Sequence, residues 1–213
     1  MKKKAIIFDL DGTLLDTRED IANAVNFALK NNGLDELLLD DILEKTGRGN
    51  RKLIRDCAPF ADDKTLETIF KDFKKYYTDH CTDKTTIYPE MTETLAKLKE
   101  KGYKMAVVSN KIDSIVKKMI NHYFPEVFDY VLGGVDGIKL KPAPDMIYVA
   151  TYNLKFPIID TVYIGDSLID YETAVNTRMS SIIVSYGYAS KFDLEIRGCP
   201  IIIYEAQDIL NYL

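Results

Sequence analysis

Acidic residues follow two short apolar runs of the chain. Asp9 and Asp11 come after the first run, and Asp166 comes after a later one, with Asp170 four residues further along. Residues at i and i+2 of an extended chain point the same way, and residues at i and i+4 share one face of a helix. Carboxylates held together repel one another, and a divalent cation relieves that repulsion. Oxygen ligands without His or Cys favour Mg²⁺.

Residues whose side chains can bind an anion lie in two other segments of the chain. Ser109 and Asn110 come directly after a third apolar run, and Lys141 precedes a proline further along. Lys139 competes with Lys141, and the following Pro142 favours Lys141. A hydroxyl and an ammonium group bind phosphate oxygens, while an aspartate can accept a phosphoryl group as a nucleophile. Carboxylates, Mg²⁺, Lys and Ser together indicate phosphoryl transfer.

The apolar pattern predicts how these residues are positioned. Short strands are predicted within the core, and after Tyr88 they alternate with amphipathic helices, which favours a parallel sheet with right-handed crossovers. Ligands of such sheets gather at the carboxyl ends of the strands. The predicted strands are 4–8, 104–108, 130–132, 161–164, 181–184 and 200–203.

Residues 17–83 show a different pattern. We predict four helices there and no strand, the first capped by Asp16 or Thr17 and the fourth carrying an aromatic stripe at helical spacing. Because one strand precedes this block and the others follow it, the block is an insertion. The predicted fold is therefore a doubly wound, Rossmann-like α/β core of residues 1–16 and 84–213 with an all-helical cap of residues 17–83.

Composition excludes several function classes. The chain has 213 residues, 46% of them hydrophobic, and a formal net charge of -5, which does not suit the coating of nucleic acid. No apolar run approaches the roughly 20 residues of a membrane span. Three cysteines form no CxxC motif, so we expect a reducing cytoplasm. The two histidines are far apart in the sequence, which argues against a histidine metal site.

Four segments in order resemble motifs of a known family. They are Phe8-Asp9-Leu10-Asp11-Gly12-Thr13, Val108-Ser109-Asn110-Lys111, Lys141-Pro142-Ala143-Pro144-Asp145 and Ile164-Gly165-Asp166-Ser167-Leu168-Ile169-Asp170. Together with the helical insert, they resemble the haloacid dehalogenase-like superfamily over nearly the whole chain. Ser-Asn-Lys and Tyr186-Gly187-Tyr188 resemble its phosphoglycolate-phosphatase-like branch, which has a helical cap.

The resemblance implies roles for the acidic residues. Asp9 would be the nucleophile that takes the phosphoryl group, and Asp11 would protonate the leaving oxygen and then activate water. Mg²⁺ would be held by the Asp9 carboxylate, the Asp11 carbonyl and Asp166. Asp170 would be a further metal ligand or a partner of the ligands.

It also implies how phosphate is bound. Ser109 and Lys141 would bind the phosphoryl oxygens with help from the Asn110 backbone, and Thr13 would position Asp11. The substrate would be a small phosphorylated metabolite, and the protein a monomer or a weak homodimer with no nucleic-acid or membrane partner.

A basic stretch of the cap suggests how substrate is captured. Residues 45–55 contain five basic and no acidic side chains, and two glycines there indicate a flexible loop. Arg48 and Arg51 could grip the non-reacting end of an anionic substrate, because an arginine binds carboxylate or phosphate in a bidentate manner. A solvated surface is an equally good interpretation of these two residues.

Other functions remain open on the sequence alone. A phosphomutase or an inorganic pyrophosphatase could share the scaffold, although Thr13 argues mildly against a mutase. Metal-free dehalogenase chemistry is disfavoured by Asp11 and by the acidic segment around Asp166. A receiver domain would carry its aspartate on the third strand, where this chain has Gly133-Gly134. A catalytically inactive regulatory protein would have no reason to keep mutually repelling carboxylates.

Overall fold

The computed structural model describes residues 3–213, and a parallel sheet forms its centre. Six of the eight strands in this part of the chain form that sheet, in the order β5-β4-β1-β6-β7-β8. The strands are β1 (Ala5–Phe8), β2 (Leu15–Asp16), β3 (Thr86–Ile87), β4 (Lys104–Ile112), β5 (Tyr130–Gly134), β6 (Thr161–Gly165), β7 (Ser180–Val184) and β8 (Ile202–Ile203).

Helices cover the sheet and form the inserted block. They are α1 (Arg18–Asn31), α2 (Leu39–Leu43), α3 (Asn50–Cys57), α4 (Asp63–His80), α5 (Met91–Glu100), α6 (Asp113–Tyr123), α7 (Asp145–Leu154), α8 (Leu168–Thr177) and α9 (Lys191–Ile196). Two short 3-10 helices, Ile158–Asp160 and Ala206–Asn211, complete the set. Among residues 3–213, no helix combines the length and the apolar character needed to cross a bilayer.

Strand β1 is buried on both of its faces. Ile6 and Phe8 belong to one hydrophobic cluster, to which α5 and α6 also contribute. Ala5 and Ile7 point to the opposite face and belong to a second cluster with α7 and α8. Because side chains alternate along a strand, a strand covered on both faces is apolar throughout. The doubly wound α/β core predicted from the sequence is confirmed.

The block between β2 and β3 is helical, as predicted. Helix α4 places Ile69, Phe73 and Tyr77 in the hydrophobic core, where they are fully buried. Phe70 and Tyr76, from the same aromatic stripe, are only half-buried. Tyr76 instead stacks on Phe27 of α1, with ring centroids 4.2 Å apart.

A small antiparallel pair joins the block to the core. Leu15 of β2 pairs with Ile87 of β3. Beside this pair, the buried carboxylate of Asp20 accepts hydrogen bonds from the Lys84 and Thr85 backbone amides, at 3.0 and 2.8 Å, and from the Thr85 hydroxyl at 2.8 Å. The sequence did not predict these strands, since a two-residue strand carries no periodic pattern.

Other differences from the prediction are local. Strand β4 continues to Ile112, four residues beyond the predicted end, through the Ser-Asn-Lys segment. Helix α9 was not predicted at all, although the Ser190 hydroxyl caps it by accepting the Asp193 amide at 3.1 Å. A six-residue helix offers less than two turns of pattern, which explains why it was missed.

Candidate active site

The site lies where the carboxyl ends of three adjacent strands meet the cap. Strands β4, β1 and β6 are neighbours in the sheet, so the residues that follow them converge. A cavity of about 80 Å³ opens there, several times the ~10–15 Å³ that one water needs. Core residues in its wall include Asp9, Asp11, Ser109, Asn110, Lys111, Lys141, Asp166 and Tyr188, and cap residues include Ile21, Thr46, Gly47, Gly49, Asn50 and Leu53.

Three buried carboxylates form the acidic part of this site. Oxygen atoms of Asp9, Asp166 and Asp170 lie within 4.8 Å of one another. The Lys141 nitrogen lies 2.8 Å from Asp9 Oδ1, yet the orientation provides no aligned hydrogen bond to that oxygen. Asp9 Oδ1 is thus held by the charge of Lys141, with no aligned hydrogen bond to it among the described residues.

Burial and repulsion disfavour ionisation of two of these groups. Burial, followed by repulsion from Asp170, raises the pKa of Asp9 from its ordinary value of 3.8 to about 7, against the opposing effect of Lys141. The pKa of Asp166 is also raised well above its ordinary value, first by burial and then by Asp170 and Asp9. Such a pair of strongly perturbed carboxyls in a cleft is typical of a functional site.

Asp170 differs because every side of its carboxylate is occupied. Oδ1 accepts hydrogen bonds from Lys141 and from Tyr163, both at 2.8 Å. Oδ2 accepts from the Ser167 hydroxyl at 2.6 Å and from the Ser167 and Asp166 amides at 3.0 and 3.2 Å. Burial alone would raise the pKa of Asp170, but the ion pair with Lys141 and these hydrogen bonds lower it. Asp170 therefore fixes Lys141 and the start of α8.

Asp11 lies at the boundary between core and cap. Its Oδ1 accepts a hydrogen bond from the Thr17 hydroxyl at 2.5 Å and pairs with the Lys111 ammonium group. The Tyr188 hydroxyl lies 2.8 Å from that of Thr17. The contact expected of Thr13 therefore needs correction, because the Thr13 hydroxyl donates to Asp166 at 3.2 Å instead. Thr17 occupies the cap position of α1 as predicted, but its hydroxyl serves Asp11 rather than the helix.

The segment after β1 packs against Asp166 so closely that it requires a glycine. Gly12 has a φ of +79°, and a Cβ there would lie 2.2 Å from Asp166 Oδ2. Gly187 approaches from the other side, where a Cβ would lie 2.3 Å from the Asp166 Cβ. Next to it, the Tyr188 amide donates to Asp166 Oδ2 at 2.7 Å. These contacts hold the Asp166 carboxylate in one orientation.

Ser109 and Asn110 connect the sheet edge to the cap. Ser109 is buried and lines the cavity. The Asn110 amide donates to the Gly47 carbonyl of the cap and to the Lys141 carbonyl, both at 2.8 Å. Asn50 of the cap accepts a hydrogen bond from the Ile112 amide at 3.0 Å. Two asparagine side chains thus hold the loop at residues 46–49 over the cavity.

The two cap arginines lie outside the cavity wall. Arg51 pairs with Glu67 at 2.6 Å and stacks over the Phe70 ring on an exposed face. Arg48 is exposed beside Lys52. The structure therefore does not bring either arginine to the carboxylates. Lys139 is exposed as well, whereas Lys141 is buried in the cavity wall.

Several residues around this site have no role in the sequence analysis, among them Lys111 and Tyr77. Lys111 appears there only as part of a motif, and Tyr77 lies in the aromatic stripe of the fourth predicted helix. The structure buries both, and the Lys111 ammonium donates to the Tyr77 hydroxyl at 2.6 Å. A lysine directly after a buried strand was the available signal for Lys111. No signal pointed to Tyr77, because its partner lies 34 residues away along the chain.

The donor set fits a hard divalent cation. Asp9 and Asp166 offer carboxylate oxygens, one of them without an aligned donor, and both groups are destabilised when ionised without a counterion. No histidine or cysteine lines the cavity among the residues the structure describes. Oxygen ligands of this kind suit Mg²⁺.

Comparison with known proteins decides the family. The family model of the haloacid dehalogenase-like hydrolases matches residues 6–184. The chain belongs to this family. A phosphoglycolate phosphatase from Aquifex aeolicus is 33% identical over 186 residues, covering 87% of this chain and 86% of the relative. One from Rhodobacter capsulatus is 34% identical over 190 residues, covering 86% and 85%.

Solved structures of haloacid dehalogenase-like hydrolases share the whole architecture. A provisionally named phosphoglycolate phosphatase from Lactobacillus delbrueckii is 34% identical, with a TM-score of 0.92 over 100% of this chain and 98% of that one. A predicted phosphoglycolate phosphatase from Haemophilus somnus has a TM-score of 0.93 at 26% identity, with the same coverage. These matches confirm the resemblance inferred from the four motifs. The chain is a phosphatase of the phosphoglycolate-phosphatase-like branch.

Proposed function

We propose that the protein is a Mg²⁺-dependent phosphatase that hydrolyses a small phosphate ester such as phosphoglycolate through an aspartyl-phosphate intermediate. One observation carries the proposal. The Asp9 carboxylate stands at the central strand end with a buried oxygen that lacks an aligned donor, next to the Lys141 ammonium group. A carboxylate at this position, paired with one ammonium group, can act as the nucleophile of a phosphoryl transfer.

The proposed reaction has two steps. Asp9 attacks phosphorus, a bond forms between its oxygen and phosphorus, and the ester bond breaks. Asp11 donates a proton to the leaving oxygen, so that an alcohol departs. Water then attacks the phosphorus of the aspartyl phosphate, Asp11 accepts the proton of that water, and Asp9 and orthophosphate are released. The Thr17 hydroxyl, which donates to Asp11, keeps that carboxylate at the mouth of the cavity.

Lys141 would stabilise the charge of the transferring phosphoryl group. Its ammonium group is buried between Asp9 and Asp170 and also donates to the Tyr163 hydroxyl at 2.9 Å. Burial alone would lower the pKa of Lys141, but the attraction of Asp170 and Asp9 raises it, which keeps the group charged. A preorganised charge in a site that excludes water is a strong source of transition-state stabilisation. Ser109, beside it in the cavity wall, would donate its hydroxyl to a second phosphoryl oxygen.

Mg²⁺, when bound, would supply charge neutralisation for the phosphoryl oxygens and allow the carboxylates to ionise together. We assign it to the Asp9 and Asp166 carboxylates and the Asp11 carbonyl. Asp170 is assigned as the partner that positions Lys141, because its own oxygens are already satisfied by hydrogen bonds.

The domain boundaries, the oligomeric state and the cellular location are part of the proposal. We assign residues 1–16 and 84–213 to the catalytic core and residues 17–83 to the cap, a division supported by the β2–β3 pair at the two crossing points. We infer a monomer or a weak homodimer. Cys57 and Cys81 are buried, unpaired thiols, which are typical of proteins in a reducing cytoplasm.

A panel of phosphate-release assays tests this function. Phosphoglycolate, pyrophosphate, sugar phosphates and nucleotides are offered with and without Mg²⁺. We expect Mg²⁺-dependent release from small esters, and a loss of at least about 10³-fold in Asp9→Asn, since removal of a nucleophile costs this much or more. Asp136→Asn is the matched control, because Asp136 is an exposed aspartate outside the cavity wall.

The same panel separates the alternatives. Preferred cleavage of pyrophosphate would indicate a pyrophosphatase. Interconversion of sugar phosphates without net release would indicate a phosphomutase. Phosphate release that survives Asp9→Asn would contradict the assigned nucleophile, and no release from any compound would favour an inactive regulatory protein.

A further inference from the structure

Two ammonium groups face the cavity from the described core residues. Lys141 is engaged by two carboxylates of the reaction centre, Asp9 and Asp170. Lys111, near the end of β4, has a side chain only 2% exposed and is paired with Asp11. The proposed reaction uses the first of these lysines and leaves the second without a role.

The surroundings of Lys111 provide one balancing charge. Besides Asp11, its nitrogen contacts the Tyr77 hydroxyl at 2.6 Å and lies 4.9 Å from the centre of the Tyr77 ring. The Met119 sulfur lies 4.0 Å away. Burial, followed by the Asp11 charge, raises the pKa of Tyr77 well above its ordinary value, so that the hydroxyl stays neutral. Asp11 is therefore the group that balances the charge of Lys111.

The described contacts leave one of the three N–H donors of Lys111 without an oxygen acceptor. Asp11 and the Tyr77 hydroxyl engage the other two. The remaining neighbour is the Met119 sulfur, a weak acceptor. Because Lys111 lines the cavity wall beside Asp11, a second anionic group on the substrate would supply the acceptor for this third donor.

Geometry limits where that second group can be. Asp11 would hydrogen-bond the leaving oxygen while Lys111 remains beside the same carboxyl group. Two hydrogen bonds of about 2.8 Å that share one carboxyl group place the leaving oxygen and the Lys111 nitrogen roughly 4–6 Å apart. A carboxylate one or two carbons from the ester oxygen spans that distance.

We propose that Lys111 is the specificity-determining residue for phosphate esters with an anionic group next to the ester oxygen, and that Tyr77 positions it from the cap. This inference rests on the proposed phosphatase function. It assigns to Lys111 the substrate contact that the sequence suggested for Arg48 and Arg51, which lie outside the cavity wall.

Two substrates, one with and one without a carboxylate next to the ester, provide the test. Phosphoglycolate and ethyl phosphate share a two-carbon frame, and only phosphoglycolate has the carboxylate. We measure kcat and KM for both with saturating Mg²⁺ in the unmodified enzyme, Lys111→Met, Tyr77→Phe and the control Lys139→Met, which changes an exposed lysine. The unmodified enzyme is expected to prefer phosphoglycolate by at least about 30-fold, because a buried charge-assisted contact contributes roughly 2 kcal/mol.

Lys111→Met is expected to reduce that preference at least tenfold, mainly through a higher KM for phosphoglycolate. Tyr77→Phe is expected to raise the same KM to a smaller extent with little change in kcat, whereas Lys139→Met should retain the preference. An equal loss on both substrates in Lys111→Met would mean that Lys111 only orients Asp11, and would overturn the inference. Equal kcat/KM values for the two esters in the unmodified enzyme would also overturn the inference. That result does not depend on the folding of any variant.

The failure of the inference is distinguishable from the failure of the proposed function. Mg²⁺-dependent hydrolysis of both esters without preference refutes the role of Lys111 and leaves the phosphatase intact. An enzyme that releases phosphate from neither ester refutes the proposed function, and the inference falls with it.

Discussion

The raised pKa of Asp9 predicts an unusual pH dependence of stability. The perturbation is Asp9→Asn, which replaces the carboxyl group with a neutral group of nearly the same shape in metal-free protein. A carboxyl whose pKa is higher in the folded state than in the unfolded state binds more protons when folded. Its contribution to the free energy of unfolding therefore decreases as pH rises through the interval between the two pKa values.

The magnitude follows from the two values. With a pKa of about 7 in the folded state against an ordinary value of 3.8, ionisation of Asp9 destabilises the fold by about 2 kcal/mol at about pH 5.5 and by about 4 kcal/mol at about pH 8. The asparagine variant does not carry this cost. Its stability advantage over the unmodified protein is thus expected to grow by about 2 kcal/mol over that pH range.

Urea unfolding of both proteins at the two pH values, in the presence of a chelator, measures this difference. A parallel thermal scan should show a change of roughly 4–8 °C in the difference between the two melting temperatures, on the scale expected for a chain of this size. Saturating Mg²⁺ at about pH 8 should stabilise the unmodified protein more than the variant, because the cation needs the ionised carboxylate. A stability difference that is independent of pH, or that shrinks as pH rises, would refute the assignment of a raised pKa to Asp9.

Three further substitutions have defined outcomes. Gly187→Ala inserts a methyl group 2.3 Å from the Asp166 Cβ. It should cost about 1–3 kcal/mol of stability, measured by urea unfolding, and weaken Mg²⁺ binding, measured by calorimetric titration. Unchanged Mg²⁺ affinity would contradict the close approach of Gly187 to Asp166. Asp170→Asn leaves the buried Lys141 with one carboxylate partner and should cost about 3–5 kcal/mol by urea unfolding, whereas a loss below about 1 kcal/mol would contradict its positioning role. Arg51→Ala removes an exposed ion pair. It should change the free energy of unfolding by less than about 1 kcal/mol and the KM for phosphoglycolate by less than about twofold. A tenfold rise in that KM would restore the substrate role that the sequence suggests for Arg51.

Much of the catalytic core is predictable from local patterns. Strands β1 and β6 are short apolar runs, and the residue type changes abruptly after each, at Asp9 and Asp166. Because the carboxyl ends of neighbouring parallel strands lie at one edge, the convergence of these residues follows from the order of the elements. The fold class, the helical insert and the proximity of the carboxylates could therefore be predicted.

Contacts between distant segments could not be predicted in the same way. Thr13 and Thr17 are both close to Asp11 in sequence, and only the path of the turn decides that Thr17 contacts it and Thr13 contacts Asp166. The Tyr77–Lys111 hydrogen bond depends on how α4 packs against the core. Such contacts are set by tertiary packing, which no local periodicity encodes.

The cap loop illustrates the limit of reading charge from sequence. Five basic residues in 45–55 suggested a substrate-binding surface, but the structure directs Arg51 toward Glu67 and Phe70 and leaves Arg48 exposed. The loop contributes its backbone instead, through the Gly47 carbonyl that accepts the Asn110 amide. The direction of a side chain depends on the helix phase, and a charge count does not contain that information.

Covalent trapping during turnover tests the central claim most directly. Borohydride reduces an aspartyl phosphate to homoserine, and peptide mass spectrometry then locates the modified residue. With phosphoglycolate and Mg²⁺, we expect conversion at Asp9 alone, and no conversion when substrate is omitted or when Asp9 is replaced by asparagine. Conversion at another aspartate, or steady phosphate release with no modified residue at any time point, would contradict Asp9 as the nucleophile.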